Sequence, residues 1–263
     1  GFQVGVGEDS GTHQSTVSRT VHEISNKIYD SAHQWIKFPA EQGEIDAEKQ
    51  QWLEKYNFPC VVGALDCTQI PIKKPYVHGD EYICRKLFSS INVQATCNTR
   101  EWFTSVDATW PGSVHDSRIW RNSAILPIIS QYQGQAILLG DLGYAIAPWI
   151  MTPYRNTVNP VEANFNEVHK KTRVVIERCF GQLKKRFPIL MNEIRVRLNR
   201  VPKIIVSCFV LHNVAKFVND GDFPDIPLDE DQDELADIDE NINIRIAGMR
   251  RRNELAHILY GLR

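Results

Sequence analysis

The chain has 263 residues, 43% of them hydrophobic and 24% charged, and 30 Lys+Arg against 32 Asp+Glu leave a formal net charge of −2. Its longest mostly apolar stretch, residues 204–211 with Ser207 inside it, falls well short of the ~18 residues of a membrane-spanning helix, which excludes that class. Six scattered cysteines without a C-x-x-C pair exclude a disulfide scaffold, and with no signal-peptide pattern they favour a reducing intracellular setting. The near-zero charge hides a segregation: residues 219–240 hold eleven acids and no Lys or Arg, which leaves +9 for the rest. Residues 165–203 alone hold eleven bases against three acids. A basic body followed by an acidic segment keeps a polyanionic partner open.

In chain order, residues 12–35 are expected to form an amphipathic helix, capped by Ser10 or Thr12, with Val17, Val21, Ile24 and Ile28 on one face. Within it, Gln14 to Arg19 reads either as the start of a helix-turn-helix recognition helix or as an ordinary surface helix. A polar helical connector follows. The run from Cys60 to Leu65 is nearly continuous and apolar, a strand buried on both faces and ending at Asp66. Ile91, Val93, Ala95 and Cys97 alternate with Asn92, Gln94 and Thr96, a half-buried strand whose antiparallel partner is residues 103–110. Residues 136–140 form another buried strand, ending at Asp141. A long helix from about residue 165 to 187 stops at Pro188, with Ile176, Phe180, Leu183 and Phe187 on its core face and Glu177 on the shoulder. Residues 203–218 form a mostly buried helix, and residues 246–262 a basic amphipathic one containing Arg250, Arg251 and Arg252. The expected division is 1–37 helix-turn-helix-like, 38–57 connector, 58–218 α/β domain, 219–240 acidic tail and 241–263 basic helix.

Carboxylates at the carboxyl ends of strands are where open α/β sheets place functional groups. Asp66 and Asp141 both stand there, and Glu177 can reach the same edge. Three convergent acids repel one another unless a cation neutralises them, and hard oxygen donors suit Mg²⁺ or Mn²⁺. Taken singly, each acid has a plainer reading: Asp66 or Asp141 as a turn former or helix cap, Glu177 as the ion-pair partner of Arg173, Arg178 or Lys184. No H-x-x-x-H pair, nucleophile elbow or phosphate-binding glycine loop is present.

Five motifs occur in order: Gly63-Ala64-Leu65-Asp66-Cys67-Thr68, Trp110-Pro111-Gly112-Ser113-Val114-His115-Asp116-Ser117, Leu139-Gly140-Asp141-Leu142-Gly143-Tyr144, Val175-Ile176-Glu177-Arg178-Cys179-Phe180-Gly181 and Val210-Leu211-His212-Asn213. Together they resemble the PIF/Harbinger superfamily of DDE transposases, and most closely the domesticated Harbinger transposase-derived nucleases of animals, over roughly residues 12–218. The resemblance implies an RNase H-like mixed sheet flanked by helices and a catalytic, metal-binding triad of Asp66, Asp141 and Glu177. It implies DNA as substrate, two Mg²⁺ or Mn²⁺ ions, a separate Myb/SANT-like DNA-binding partner, room for a homo-oligomer, and a distribution between nucleus and cytoplasm. His115 and Asp116 match a further family motif, read here as a helix cap or support behind the metal ligands. Arg19, Arg118, Arg173, Arg178, Lys184, Lys185 and Arg186 are candidates for phosphate contacts. His212 and Asn213, on an apolar helix, read as a satisfied polar pair in the core. The alternative function keeps the fold and drops the chemistry: a catalytically silent domesticated transposase acting as a DNA-binding or scaffold protein.

Overall fold

Val61–Pro71 (β1) is apolar or small without alternation over its first five residues, so both of its faces are covered. The computed structural model describes residues 8–9, 11–221 and 242–262. In it β1 is the central strand of a five-stranded sheet with Ser90–Cys97 (β2), Phe103–Pro111 (β3), Ile137–Leu139 (β4) and Ile150–Met151 (β5), in the order β3-β2-β1-β4-β5. β1, β2 and β3 pair antiparallel, whereas β1, β4 and β5 pair parallel. This mixed sheet, flanked by helices, bears out the expected α/β architecture and is consistent with an RNase H-like fold.

The helices are Gln14–Asp30 (α1), Ala32–Trp35 (α2), Gln42–Tyr56 (α3), Asp116–Arg121 (α4), Leu126–Ser130 (α5), Pro160–Arg186 (α6), Val201–Phe217 (α7) and Ile242–Gly261 (α8). One sheet face packs on α6, α7 and α8 through Phe165, Ile176, Phe180, Leu183, Phe209 and Leu255. The other is covered by Ile45, Trp120, Ile125, Ile129 and Tyr144. α3 serves both cores, with Trp52 in one and Ile45 in the other. The expected polar connector is thus anchored by two fully buried side chains. No described helix is long and apolar enough to cross a membrane.

Several boundaries differ from the sequence reading, each for a local reason. β1 does not end at Asp66: Cys67 to Pro71 continue as strand because they pair with Gln94 to Ser90. β2 is not half-buried but buried on both faces. Its polar side chains find partners there, Asn92 Nδ2 donating to Val114 O and Asp116, and Thr96 bonding Thr104 and Ser105, although Asn92 Oδ1 is left without one. α6 starts at Pro160, where Asn159 caps it by accepting from Glu162 N at 2.9 Å. The first helix breaks at Ser31, and its cap is His13, whose Nδ1 accepts from Ser15 N, instead of Ser10 or Thr12. α1 lies along α7, with Ser207 Oγ donating to Ser25 O at 2.9 Å, yet Val21 and Ile24 of its expected core face stay exposed. The helix that follows it, α2, is four residues long.

The basic C-terminal helix is built into the core. A Cβ at Gly248 would lie 2.7 Å from Ala147 Cα, so only glycine lets α8 approach the segment before β5 this closely. Arg252 donates to Thr152 O and Pro153 O, and its guanidinium lies 3.8 Å from the Tyr154 ring centroid. Most of the acidic segment, residues 222–241, lies outside the described residues.

Candidate metal centre at the sheet edge

The parallel register of β1 and β4 places two acids side by side. Ala64 pairs with Leu139, and Asp66 and Asp141 each stand two residues further on. β4 ends there while β1 continues, so Asp141 leaves the sheet in a turn in which its carboxylate accepts from Gly143 N at 3.0 Å. A third carboxylate arrives from the loop after β3. Gly112 sits where a Cβ would be 2.1 Å from Ser90 Oγ and 2.6 Å from Tyr82 O, and this contact folds the segment over the end of β2. Gln69 donates to Gly112 O and Asn92 to Val114 O, so Asp116 is delivered beside β1. One carboxylate oxygen from each of Asp66, Asp116 and Asp141 lies within 4.8 Å of the others, and all three residues are partly buried.

Asp116 is therefore not the cap of α4 that the sequence suggested. It is the first residue of that helix; His115 occupies the cap position, with no side-chain cap bond. Asn92 Nδ2 holds the Asp116 carboxylate at 2.9 Å. The cap reading rested on position after a strand, which cannot distinguish a capping acid from one aimed back across the sheet.

Glu177 reaches this group through an arginine. Arg173 Nη1 donates to Asp66 Oδ2 at 2.9 Å and Nη2 to Glu177 Oε1 at 2.5 Å. The i,i+4 spacing on α6 puts the two side chains on one helix face. The Asp66 side chain is 16% exposed, and burial raises its pKa to about 6, with Asp116 and Glu177 adding to the rise and Arg173 opposing it. Beneath the acids, Tyr144 OH lies 3.3 Å from Cys67 Sγ, and Gln94 Nε2 donates to the phenol at 3.4 Å. Burial holds both the thiol and the phenol protonated. Tyr144 and Gln94 were not singled out from the sequence, although Tyr144 closes the motif that contains Asp141.

The predicted phosphate contacts have varied surroundings. Arg178 donates to Glu101 Oε1 at 3.0 Å, in a buried group that also holds Lys216 at 2.7 Å and Gln182 at 3.0 Å. Its charge is directed into the β2–β3 turn, a placement that sequence spacing could not disclose. Arg186 pairs with Asp220 and donates to Gly221 O. Lys184 lies against β1, its Nζ 3.4 Å from Gln69 O, and Lys185 is half-buried next to it. Arg118 is exposed on α4, and Arg19 is exposed with its guanidinium against Ser15 O and Thr16 of its own helix. His212 and Asn213 are core residues as expected: Asn213 takes both Phe103 backbone groups and Trp35 O, and His212 Nε2 donates to Glu101 O.

The acids have the donor set a hard divalent cation needs: oxygen only, crowded and partly desolvated, with like charges raising one pKa. The family comparison agrees with this chemistry. A profile described as DDE superfamily endonuclease matches residues 65–213, which begins at β1 and ends at Asn213. Over 221 residues the chain is 31% identical to the human protein named Putative nuclease HARBI1, covering 81% of this chain and 62% of that one. The Xenopus laevis protein of the same name is 28% identical over 219 residues, covering 81% of this chain and 63% of that one. Protein ALP1-like of Arabidopsis thaliana is 27% identical over 247 residues, covering 87% and 60%. The chain thus spans about three fifths of the length of the curated relatives it matches. No solved structure matches it. The five-motif resemblance is borne out, and the chain belongs to the DDE superfamily endonucleases.

Proposed function

We propose that this chain is a divalent-metal-dependent DNA endonuclease of transposase descent. The observation that carries the reading is the convergence of Asp66, Asp116 and Asp141 from three separate segments within 4.8 Å. Asp66, Asp116 and Asp141 would hold one cation, and Asp66 with Glu177 a second, Mg²⁺ or Mn²⁺ in each case. Bound there, the cations supply Lewis-acid polarisation of a phosphodiester and an activated water or 3′-hydroxyl. The chain's own part is positional. Asn92 and Gly143 N orient two of the carboxylates, and Tyr144 with Gln94 closes the floor so that water reaches the acids from the open side only. With a cation held by Asp66 and Glu177, the Arg173 guanidinium would turn to a phosphate, and Lys184 would add a second cation along β1. A Myb/SANT-like partner, a homo-oligomer and a division between nucleus and cytoplasm belong to the same proposal and rest on the resemblance.

One observation favours the silent alternative. Arg173 already neutralises Asp66 and Glu177 as an internal counter-ion, which a scaffold protein without metal would retain. Nicking of supercoiled plasmid by the purified chain in Mn²⁺, with and without a Myb-like partner, separates the two. Activity lost in Asp66→Ala, Asp141→Asn and Glu177→Gln supports the nuclease. DNA binding without nicking under every metal condition gives the scaffold reading.

A further inference from the structure

β1 overhangs the acid cluster. Beyond Asp66 the strand continues from Cys67 to Pro71, roughly 17 Å at the strand rise, about the length of five base pairs. Lys184 touches this overhang at Gln69 O. The loop from 72 to 89 then leaves the sheet at the far end of this overhang and returns into β2 at Ser90. It is tied to the segment that delivers Asp116, because Ser113 N donates to Glu81 O at 3.2 Å and Gly112 lies under Tyr82 O.

The side chains of this loop are arranged against the usual rule. Tyr76 is 97% exposed, Leu87 87% and Val77 71%, the three most exposed large apolar residues apart from Val158 among the described residues. Lys73, Lys74, Arg85 and Lys86 are exposed around them. The loop's two acids are exposed as well and pair within the loop, Asp80 with Lys74 at 2.6 Å and Glu81 with His78 at 3.2 Å, so its four Lys and Arg outnumber them two to one. Leu87 is held at φ 63°, unfavourable for a bulky side chain, by a closed turn: its N–H donates to Cys84 O, and Cys84 N–H to Phe88 O, each at 2.9 Å. The apolar tips are therefore presented by ordered backbone on a loop whose exposed side chains are net basic.

We propose that this loop is a DNA wedge, with Tyr76 and Leu87 inserting at a base step about five base pairs from the cleaved phosphate while Lys73, Lys74, Arg85 and Lys86 hold the backbone on either side. Aromatic and aliphatic tips flanked by bases suit an unstacked step, where ring and base stack and the cations meet phosphates. The inference rests on DNA being the substrate. It adds that the duplex is kinked or unstacked near the site.

The test uses the full chain with Ca²⁺ in place of Mg²⁺ and a duplex carrying 2-aminopurine at successive positions. Anisotropy reads binding, and probe fluorescence reads unstacking. The wild type is expected to raise fluorescence at one or two adjacent positions. Tyr76→Ala and Leu87→Ala should abolish the rise and weaken binding roughly tenfold, and Tyr76→Phe should keep both. Both side chains are exposed, so unchanged melting temperatures will show that the variants fold. Binding with no probe response, or with a response unaltered by Tyr76→Ala and Leu87→Ala, overturns the wedge and leaves the nuclease reading standing. Failure of the wild type to bind any duplex overturns both. A change in sedimentation of the free protein on Tyr76→Ala, with DNA binding unaltered, assigns the surface to contact between copies and overturns the wedge.

Discussion

Arg173 donates to Asp66 across 2.9 Å and holds Glu177 with its other terminal nitrogen. One guanidinium thereby joins the central strand to the long helix at the place where two carboxylates would otherwise repel. The sequence offers this residue two roles, a phosphate contact or the ion-pair partner of Glu177, and the structure shows the second. Its side chain is only 17% exposed, so it acts first inside the protein. Replacing it with methionine should leave Asp66 and Glu177 without a counter-ion and lower metal-free stability by about 1–3 kcal/mol. Added Mn²⁺ should restore more of that loss than it adds to the wild type, a difference read by thermal unfolding with and without chelator.

Asp66 also predicts an unusual pH dependence. Its pKa rises from the ordinary carboxylate value to about 6 on folding, so between roughly pH 4 and 6 the folded state binds more protons than the unfolded one. Stability from this group is therefore present at low pH and lost as pH rises through the folded value. Asp66→Asn should stabilise the metal-free protein at pH 7 by roughly 1–2 kcal/mol and change little at pH 4, in urea unfolding with chelator present. A destabilised Asp66→Asn at pH 7 would refute the account.

Asp116 provides a test of the cluster's membership. If it is a ligand, Asp116→Asn should weaken Mn²⁺ binding, measured by calorimetry in the absence of DNA, at least tenfold. If it only supports the start of α4 through its bond to Asn92, Asp116→Asn should leave Mn²⁺ affinity unchanged.

Glu101 gives the opposite pH sign. Hydrogen bonds and charges from Lys216, Gln182 and Arg178 lower its pKa despite burial. The stability it contributes is present above the unfolded carboxylate value and lost as pH falls through the folded one. Glu101→Gln should cost about 2–4 kcal/mol at pH 7, because Lys216 and Arg178 are left as partly buried cations. The cost should shrink on acidification.

Asn213 accepts from Phe103 N and donates to Phe103 O and Trp35 O while fully buried. Asn213→Ala strands those backbone groups and should cost roughly 2–4 kcal/mol in chemical denaturation, without altering metal affinity.

Much of the fold was legible along the chain. The apolar run before Asp66, the run before Asp141, the spacing of Ile176, Phe180 and Leu183, and the stop at Pro188 each state a local preference that packing does not reverse. Asp66 and Asp141 were legible as neighbours because each follows a buried apolar run, and parallel pairing of β1 with β4 aligns those runs. Asp116 was not. Its orientation depends on Gly112 settling under Tyr82 and on Asn92 reaching across β2, contacts between segments more than twenty residues apart. The polar positions of β2 misled for the same reason: Asn92 and Gln94 alternate as a solvent face would, but the segment after β3 and Tyr144 cover them. Charge behaved likewise. The sequence by itself determined that acids and bases occupy separate stretches, since that is a matter of order along the chain. Only the tertiary structure decided which bases are spent, because Arg178 meets Glu101, Arg186 meets Asp220 and Arg173 meets Asp66 through pairings that exist after the sheet and helices have packed.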